Sequence, residues 1–325
     1  MLLDIRHLAQ YHYAAPVRES VIELWVQPQK GGRQRLVGFE MEIDPQVQLF
    51  SYADAYGNAV YHFDVPQPHE HLAIQARSTV ETDAGEPLPE RLDLGEWDRL
   101  NSDYLRGDCF DFLHPHGFAG ATPALEAFIQ SQGLDQARAY DPLSAVRAIC
   151  EGVHRGLDYQ HSPTKADSPI DLALAAGQGV AQDFAHIMIA ICRSWGMPAR
   201  YVSGYLLTDP GLGDRSNPDV VHAWVEVFLP SLRWIGFDPT NNAVTAERHV
   251  TAAIGRDYSD VPPARGFYKG DADSALSVAV SVRQARHATA EPEFMRTTAL
   301  PAFSGPTRRS GPGGPSRQMQ QQQQQ

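Results

Sequence analysis

The sequence has no long apolar run and few cysteines. No apolar stretch approaches the roughly 18 residues of a membrane-spanning helix. Asp4 and Arg6 interrupt the apolar start, so we expect no signal peptide and no membrane span. The three cysteines, Cys109, Cys150 and Cys192, have neither metal-ligand nor disulfide spacing. This cysteine usage favours a cytoplasmic protein.

Basic residues are also scarce. Lys and Arg together number 27 against 39 Asp and Glu, so the formal net charge is −12. This excess of negative charge argues against nucleic acid or an anionic membrane surface as the main partner. A hydrophobic content of 42% and a charged content of 20% are ordinary for a globular protein. The 325 residues are enough for two domains.

Two histidine pairs are the candidates for a metal site. His69 and His71 flank one residue, as do His114 and His116. Neither pair has a matched third ligand in the sequence, so surface or loop positions are favoured. We therefore expect no metal and no other cofactor.

The longest apolar helical pattern lies between the glycines at 177 and 179 and the Gly-Met-Pro at 196–198. Its apolar residues recur at spacings of three and four, and others fill the gaps, which predicts a helix buried nearly all round. The loop that enters such a helix is a good place for a reactive side chain, because free N–H groups and the helix dipole favour an anion there. Ala181, at this entry, carries no reactive group.

Residues 222–242 predict a β-hairpin. Two alternating strands flank Leu229-Pro230-Ser231. In a symmetric hairpin centred on Pro230, His222 lies directly opposite Asp238, with about 4.5–5.5 Å between their Cβ atoms. A carboxylate beside an imidazole fixes its tautomer, as in the second half of a catalytic triad. An ordinary cross-strand polar pair is the alternative interpretation.

Three segments carry a resemblance to a known family. GVAQDFAHIMIAICRSWGMPARYVSGYL, HAWVEVFLP and WIGFDPTNN resemble the core of the bacterial transglutaminase-like family, which shares the papain-like cysteine-protease fold. The family motif reads G-V-C-Q-D-F-A-H, then H-A-W-x-E, then D-P-T. Its catalytic Cys, His and Asp fall on Ala181, His222 and Asp238. RHLAQYHYAAPV, DAYGN and ARSTVET resemble the family's N-terminal domain, and the resemblance covers about residues 1–285.

The resemblance and the sequence patterns together predict an α+β fold. Short strands at 1–84 predict a β-sandwich-like N-terminal domain. A linker at 85–120 leads to a transglutaminase-like core of helices packed on an antiparallel sheet at 121–286. Residues 287–325 are rich in Pro, Gly and Gln and are predicted to be disordered.

In an intact site, the resemblance implies acyl transfer on an amide of a peptide or protein. A thiolate at position 181 would attack, His222 would protonate the leaving amine, and Asp238 would orient His222. The backbone N–H of residue 181 would help to bind the oxyanion. The candidate substrate-binding residues are Gln178, Gln182, Trp224, Arg256 and Asp257. For Arg256 and Asp257, local ion pairs are the equally weighted alternative.

Alanine at position 181 departs from the family motif. Cys192 cannot replace the thiol, because eleven residues carry it about 16 Å along the helix axis. Natural loss predicts a pseudoenzyme that binds a peptide or protein without turnover. An introduced Cys→Ala substitution would instead imply a parent cysteine protease, amidase or transglutaminase. A scaffold with a vestigial cleft is the third interpretation, and the oligomeric state is left open.

Overall fold

The computed structural model describes residues 1–115, 117–160 and 168–285, together with the backbone of 298–299 and 316–320. His116 of the second histidine pair lies outside the described residues.

One long strand organises the N-terminal domain. The first five strands are β1 (Leu2–Leu24), β2 (Gln34–Asp44), β3 (Phe50–Ala53), β4 (Ala59–Val65) and β5 (His69–Thr82). The first half of β1 pairs antiparallel with β5, and its second half pairs antiparallel with β4. The register of β1 against β5 shifts between His12 and Val17, where β1 passes from one sheet to the other. Two curled sheets therefore share β1, as the sandwich-like prediction requires.

The middle of the chain is helical. The helices are α1 (Glu96–Leu100), α2 (Asp103–Asp108), α3 (Phe110–Leu113), α4 (Pro123–Ser131), α5 (Pro142–Gly156), α6 (Ile170–Ala176) and α7 (Ala181–Ser194), and the short strands β6 (Asp158–Tyr159) and β7 (Gln178–Gly179) pair in parallel. Capping explains where α4 and α5 begin. Thr122 Oγ1 accepts from the N–H of Leu125, and Asp141 Oδ1 accepts from the N–H groups of Leu143 and Ser144.

The segment predicted as a linker, 85–120, contains α1, α2 and α3. Leu100 and Leu113 are buried in the same apolar core as α7. The linker prediction therefore needs correction. The polar and Pro-containing composition reflects the exposed residues of this segment, whereas its few buried apolar side chains attach it to the core.

A five-stranded antiparallel sheet supports the central helix. Its strands are β8 (Ala199–Leu206), β9 (His222–Leu229), β10 (Arg233–Asp238), β11 (Ala243–Val244) and β12 (His249–Gly255), in the order β11-β10-β9-β8-β12. Helix α7 packs against β8 and β9. Every residue of α7 from Ala181 to Arg193 is buried. The predicted all-round burial of this helix is confirmed.

Two later strands return to the N-terminal domain. Strands β13 (Ala264–Lys269) and β14 (Ser274–Gln284) both pair antiparallel with β1. The predicted core at 121–286 therefore ends before β13, because residues 264–284 complete the sheets of the first domain. Alternation along a strand shows which side chains are buried, but it does not identify the strand that pairs with it.

Two short strands lie in the tail that was predicted to be disordered. Strand β15 (Thr298–Ala299) pairs with β14, and β16 (Ser316–Gln320) pairs with β13. The prediction of disorder does not hold for these seven backbone positions. The rest of 287–325 lies outside the described residues.

The β9–β10 hairpin has a different register from the predicted one. Leu229 pairs with Arg233, so the loop is Pro230 to Leu232 and its centre is Ser231. Arg233 has a left-handed backbone with φ of 65°. A left-handed residue after a turn is typical of three-residue hairpin loops. His222 and Asp238 are therefore not directly opposed.

The loop residue Asn58 joins the two domains. Its buried side chain accepts from the N–H of Ile254 at 2.8 Å and donates to the carbonyl of Ile254 at 2.7 Å. Asp54 holds the same amide by accepting from Asn58 Nδ2 at 2.8 Å. This network fastens the N-terminal domain to β12.

We expect Asn58→Ala to lower the free energy of unfolding by about 3 kcal/mol, because it leaves two buried backbone groups without partners. Urea unfolding at pH 7 measures the change. Gln48→Ala removes an exposed amide from the same domain and serves as the control. Equal stabilities of the two variants would contradict the role given to Asn58.

Candidate active site

The ends of two adjacent strands bring His222 and Asp238 together. His222 begins β9 and Asp238 ends β10. The Nε2 atom of His222 lies 2.7 Å from Oδ2 of Asp238, and both side chains are buried. The predicted hydrogen bond is confirmed despite the different register. A shift of two residues keeps both side chains on one face of a hairpin, so the contact forms diagonally.

The turn after β10 holds the carboxylate of Asp238. Its Oδ1 accepts from the backbone N–H groups of Thr240 and Asn241 at 3.0 and 3.2 Å. Its Oδ2 accepts from Asn241 Nδ2 at 2.7 Å. The sequence Asp-Pro-Thr-Asn thus forms a turn in which the Asp side chain accepts hydrogen bonds from the backbone N–H groups two and three residues later. These hydrogen bonds orient Oδ2 of Asp238, the oxygen that His222 contacts.

A second histidine also contacts Asp238. His249 Nε2 lies 3.3 Å from Asp238 Oδ2, and His249 Nδ1 lies 3.4 Å from the backbone nitrogen of Ala246. A backbone N–H can only donate, so Nδ1 accepts and Nε2 carries the proton that points to Asp238. Sequence reasoning missed His249, because it begins a different strand and no local pattern links it to Asp238.

The two histidines keep Asp238 ionised. Burial by itself raises the pKa of a carboxyl group, but the charge of His222 and the hydrogen bonds of His222 and His249 outweigh burial. The pKa of Asp238 is therefore held well below its usual range. Because Nε2 of His222 faces this carboxylate, Nδ1 is the ring atom left for proton transfer. The described residues offer Nδ1 of His222 no hydrogen bond.

Position 181 is the first residue of α7. The N-cap residue is Val180, whose N–H donates to Asp183 Oδ2 at 2.9 Å. Gly179 has no room for a side chain, since a Cβ there would lie 2.8 Å from Cβ of Asp183. The turn that presents Ala181 is therefore tightly packed. The reach from Ala181 Cβ to His222 stays a prediction, although α7 and β9 pack together.

The predicted substrate-binding residues occupy different environments. Gln178 is exposed on β7, whereas Gln182 is buried in the first turn of α7. Trp224 is buried on β9, and its ring centroid lies 6.1 Å from that of His222 and 5.3 Å from that of His249. The indole thus forms part of the packing around the two histidines. The substrate-binding roles of these three residues stay predictions.

Arg256 and Asp257 make local contacts. Arg256 forms a two-pronged ion pair with Asp260, with Nε–Oδ2 and Nη2–Oδ1 distances of 2.8 Å. Asp257 is fully buried and accepts from the N–H of Ser259 at 2.9 Å. For Arg256, this is the local ion pair given as the alternative to a substrate role. The substrate roles of both residues stay predictions.

The three native thiols are poor nucleophiles. All are free and buried. Burial raises the pKa of Cys192 to about 12 and raises the pKa of Cys109 and, still more, that of Cys150. A thiol reacts as its thiolate, so these residues are inert at neutral pH.

In the described part of the chain, no three or more His, Cys, Asp or Glu side chains group together as metal ligands. None of the helices found there is long and apolar enough to cross a membrane.

Comparisons with known proteins identify the family. Residues 3–81 match the bacterial transglutaminase-like N-terminal region, and residues 132–239 match the transglutaminase-like superfamily. An uncharacterized protein of Mycobacterium leprae is 32% identical over 282 residues, which cover 86% of this chain and 98% of that protein. This chain belongs to the bacterial transglutaminase-like family.

Two further proteins resemble this chain. A solved structure from Cytophaga hutchinsonii, described as that of a candidate cysteine protease, has a TM-score of 0.67 at 22% identity and covers 90% of this chain and 94% of its own. That likeness shows the shared fold, with a papain-like core. A protein-glutamine gamma-glutamyltransferase of Pseudomonas aeruginosa is 32% identical over 119 residues, which are 33% of this chain and 17% of that protein.

Proposed function

We propose that this transglutaminase-like protein is a pseudoenzyme that binds a peptide or protein segment in the cleft beside His222. Alanine at position 181 offers no nucleophile. The His222–Asp238 pair that would activate a thiol at this position is nevertheless present. We also propose that a peptide or protein, and not nucleic acid or a membrane, is the partner. We further propose that the protein resides in the cytoplasm, which its three free cysteines support.

One observation carries this proposal. The imidazole of His222 is buried and is fixed through Nε2, while Nδ1 bonds to no described residue. A ring nitrogen that no described residue contacts can accept a hydrogen bond from a ligand or donate one to it, which supports a role in binding. A peptide N–H or carbonyl can satisfy this atom in either protonation state of the ring. The packing of Trp224 and His249 around the pair supports a rigid binding surface.

We expect no measurable turnover by this protein. A triad without its nucleophile keeps only the acceleration that binding and oxyanion contacts supply, on the order of 10³–10⁴ over water. Peptidase and amine-incorporation assays with glutamine-containing peptides measure this. Robust activity that disappears in His222→Ala would overturn the pseudoenzyme proposal and would mean that another residue supplies the nucleophile.

Peptide binding has its own experiment. An array of glutamine- and lysine-containing peptides is probed with the unchanged protein and with Gln178→Arg, which places a long charged side chain at the exposed entry to α7. We expect capture of a peptide subset that Gln178→Arg loses and that Arg35→Ala, a surface change at the start of β2, retains. Identical capture by all three proteins would contradict binding at this cleft.

The alternative is an enzyme whose cysteine was replaced. The relative named as a glutamyltransferase and the fold shared with a candidate cysteine protease favour this second function. It predicts thiol acyl transfer on amide bonds by the parent protein. The source gene distinguishes the two, since an alanine codon at position 181 supports natural loss and a cysteine codon supports an introduced change.

A further inference from the structure

A cavity of about 280 Å³ lies between the domains, apart from the predicted triad. Its floor is the five-stranded sheet, where Trp224, Trp234 and His249 line it, and its other wall is the β1–β2 connection. None of Ala181, His222 and Asp238 lines it.

Hydrogen bonds fix the wall formed by the β1–β2 connection. Gln34 Nε2 donates to the carbonyls of Gln29 and Thr251 at 2.8 Å, and Gln34 Oε1 accepts from the N–H of Thr251 at the same distance. The N–H of Gln29 donates to the carbonyl of Thr251 at 2.9 Å. The connection is thus fastened to β12 on both sides. The cavity is therefore a preformed feature of the domain interface, as ligand sites commonly are.

The inner wall is aromatic and carries a satisfied ion pair. Arg200 Nε lies 2.7 Å from Glu226 Oε2, and the guanidinium of Arg200 stacks over Trp234 at 4.2 Å. These two charges neutralise each other. The indole N–H of the buried Trp224 has no acceptor among the described residues. The inner wall therefore offers aromatic surface within a lining that is largely polar.

The rim carries two unpaired charges of opposite sign. Arg33 and Asp83 line the cavity and are exposed, and neither forms an ion pair with a described residue. Their backbones are neighbours, since the N–H of Asp83 donates to the carbonyl of Arg33 at 2.8 Å. The Arg33 side chain lies over Gly85, where a Cβ would come within 2.6 Å of its Cζ. A cation and an anion thus stand side by side at the entrance.

We propose that this cavity binds a small zwitterionic peptide, with its carboxylate on Arg33, its ammonium group on Asp83 and an apolar side chain between the indoles. Opposite unpaired charges at the rim match a ligand with both charges better than a simple anion or cation. The volume lies just below the roughly 300–1,000 Å³ of sites for drug-sized ligands, which suits a dipeptide. This site excludes His222 and Asp238, although Trp224 and His249 border both it and the proposed cleft beside His222.

Calorimetry with glycyl-L-phenylalanine tests the proposal on the full chain. We expect binding that weakens about fivefold when the dipeptide carboxylate is amidated, as is typical of one partly exposed charge pair. Arg33→Ala should bind the amidated dipeptide as strongly as the free dipeptide. N-acetylation of the dipeptide should likewise weaken its binding to the unchanged protein. Asp83→Asn should bind the acetylated and the free dipeptide equally well.

Arg35→Ala is the matched control, because Arg35 pairs with Glu81 on the protein surface two residues from Arg33 and does not line the cavity. It should bind the dipeptide as the unchanged protein does. Absence of binding at millimolar dipeptide would overturn the proposal. Equal loss on amidation in Arg33→Ala and in the unchanged protein would also overturn it, because the carboxylate would then lie elsewhere.

Discussion

Ala181→Cys is expected to create a thiol that is ionised at neutral pH, with a pKa in the range of about 3.5–7.5 that activated cysteines reach. The new side chain starts at the first residue of α7, where the helix dipole favours an anion, and His222 would stabilise it as an imidazolium–thiolate pair. Thiolate absorbance at 240 nm as a function of pH measures this directly and does not depend on reagent access to a buried position.

Labelling gives a second measurement of the same thiol. At pH 7, iodoacetamide should alkylate residue 181 at least tenfold faster than the native cysteines, whose pKa values burial raises. Mass spectrometry of the peptides locates the label. Adding His222→Ala should slow alkylation and raise the thiol pKa, because the imidazolium is lost.

Ala185→Cys is the matched control for position 181. Ala185 is equally buried and lies one turn farther into the same helix. Its thiol lies away from the helix terminus, so burial should raise its pKa above the usual value. If the thiols at 181 and 185 have the same pKa, α7 does not present position 181 to His222. The proposal that this site is a cysteine triad without its thiol would then fail.

Asp238→Ala is expected to lower the free energy of unfolding by about 3–5 kcal/mol, the usual cost of removing one partner from a buried charged network. The change leaves His222, His249 and Asn241 facing a cavity without an acceptor, along with two backbone N–H groups. Urea unfolding at pH 7 measures it. Glu81→Ala, which removes the partner of Arg35 from an exposed pair, should cost about 1 kcal/mol or less.

The effect of Asp238 on stability should depend on pH. Its pKa is lowered in the folded protein relative to about 3.9 in an unfolded chain. The folded state then binds fewer protons, so this stabilisation is complete above about pH 4 and is lost as the pH falls toward the folded pKa. The difference in unfolding free energy between the unchanged protein and Asp238→Ala should therefore shrink below pH 4. A difference that grows on acidification would contradict the ionised carboxylate.

Local sequence was sufficient for the central helix and for the choice of His222 and Asp238. Their separation of sixteen residues spans one hairpin, so alternation and a turn signal were enough to put them on one face. The same reasoning centred the hairpin on Pro230 and missed the left-handed Arg233, because loop length depends on backbone angles that many residues can adopt. The error of two residues changed the register without separating the pair.

The sequence by itself determined the α+β class, the buried helix that begins at Ala181 and the alanine at the position of the family motif's cysteine. Each of these depends on spacing within one segment, where burial has a period that can be read along the chain. Only the tertiary structure placed His249 on Asp238, returned β13 and β14 to the first domain and put Arg33, Asp83 and Trp224 in the lining of one cavity. Those contacts join residues far apart in sequence, and packing of whole sheets decides them, because a strand's own pattern is compatible with many partners.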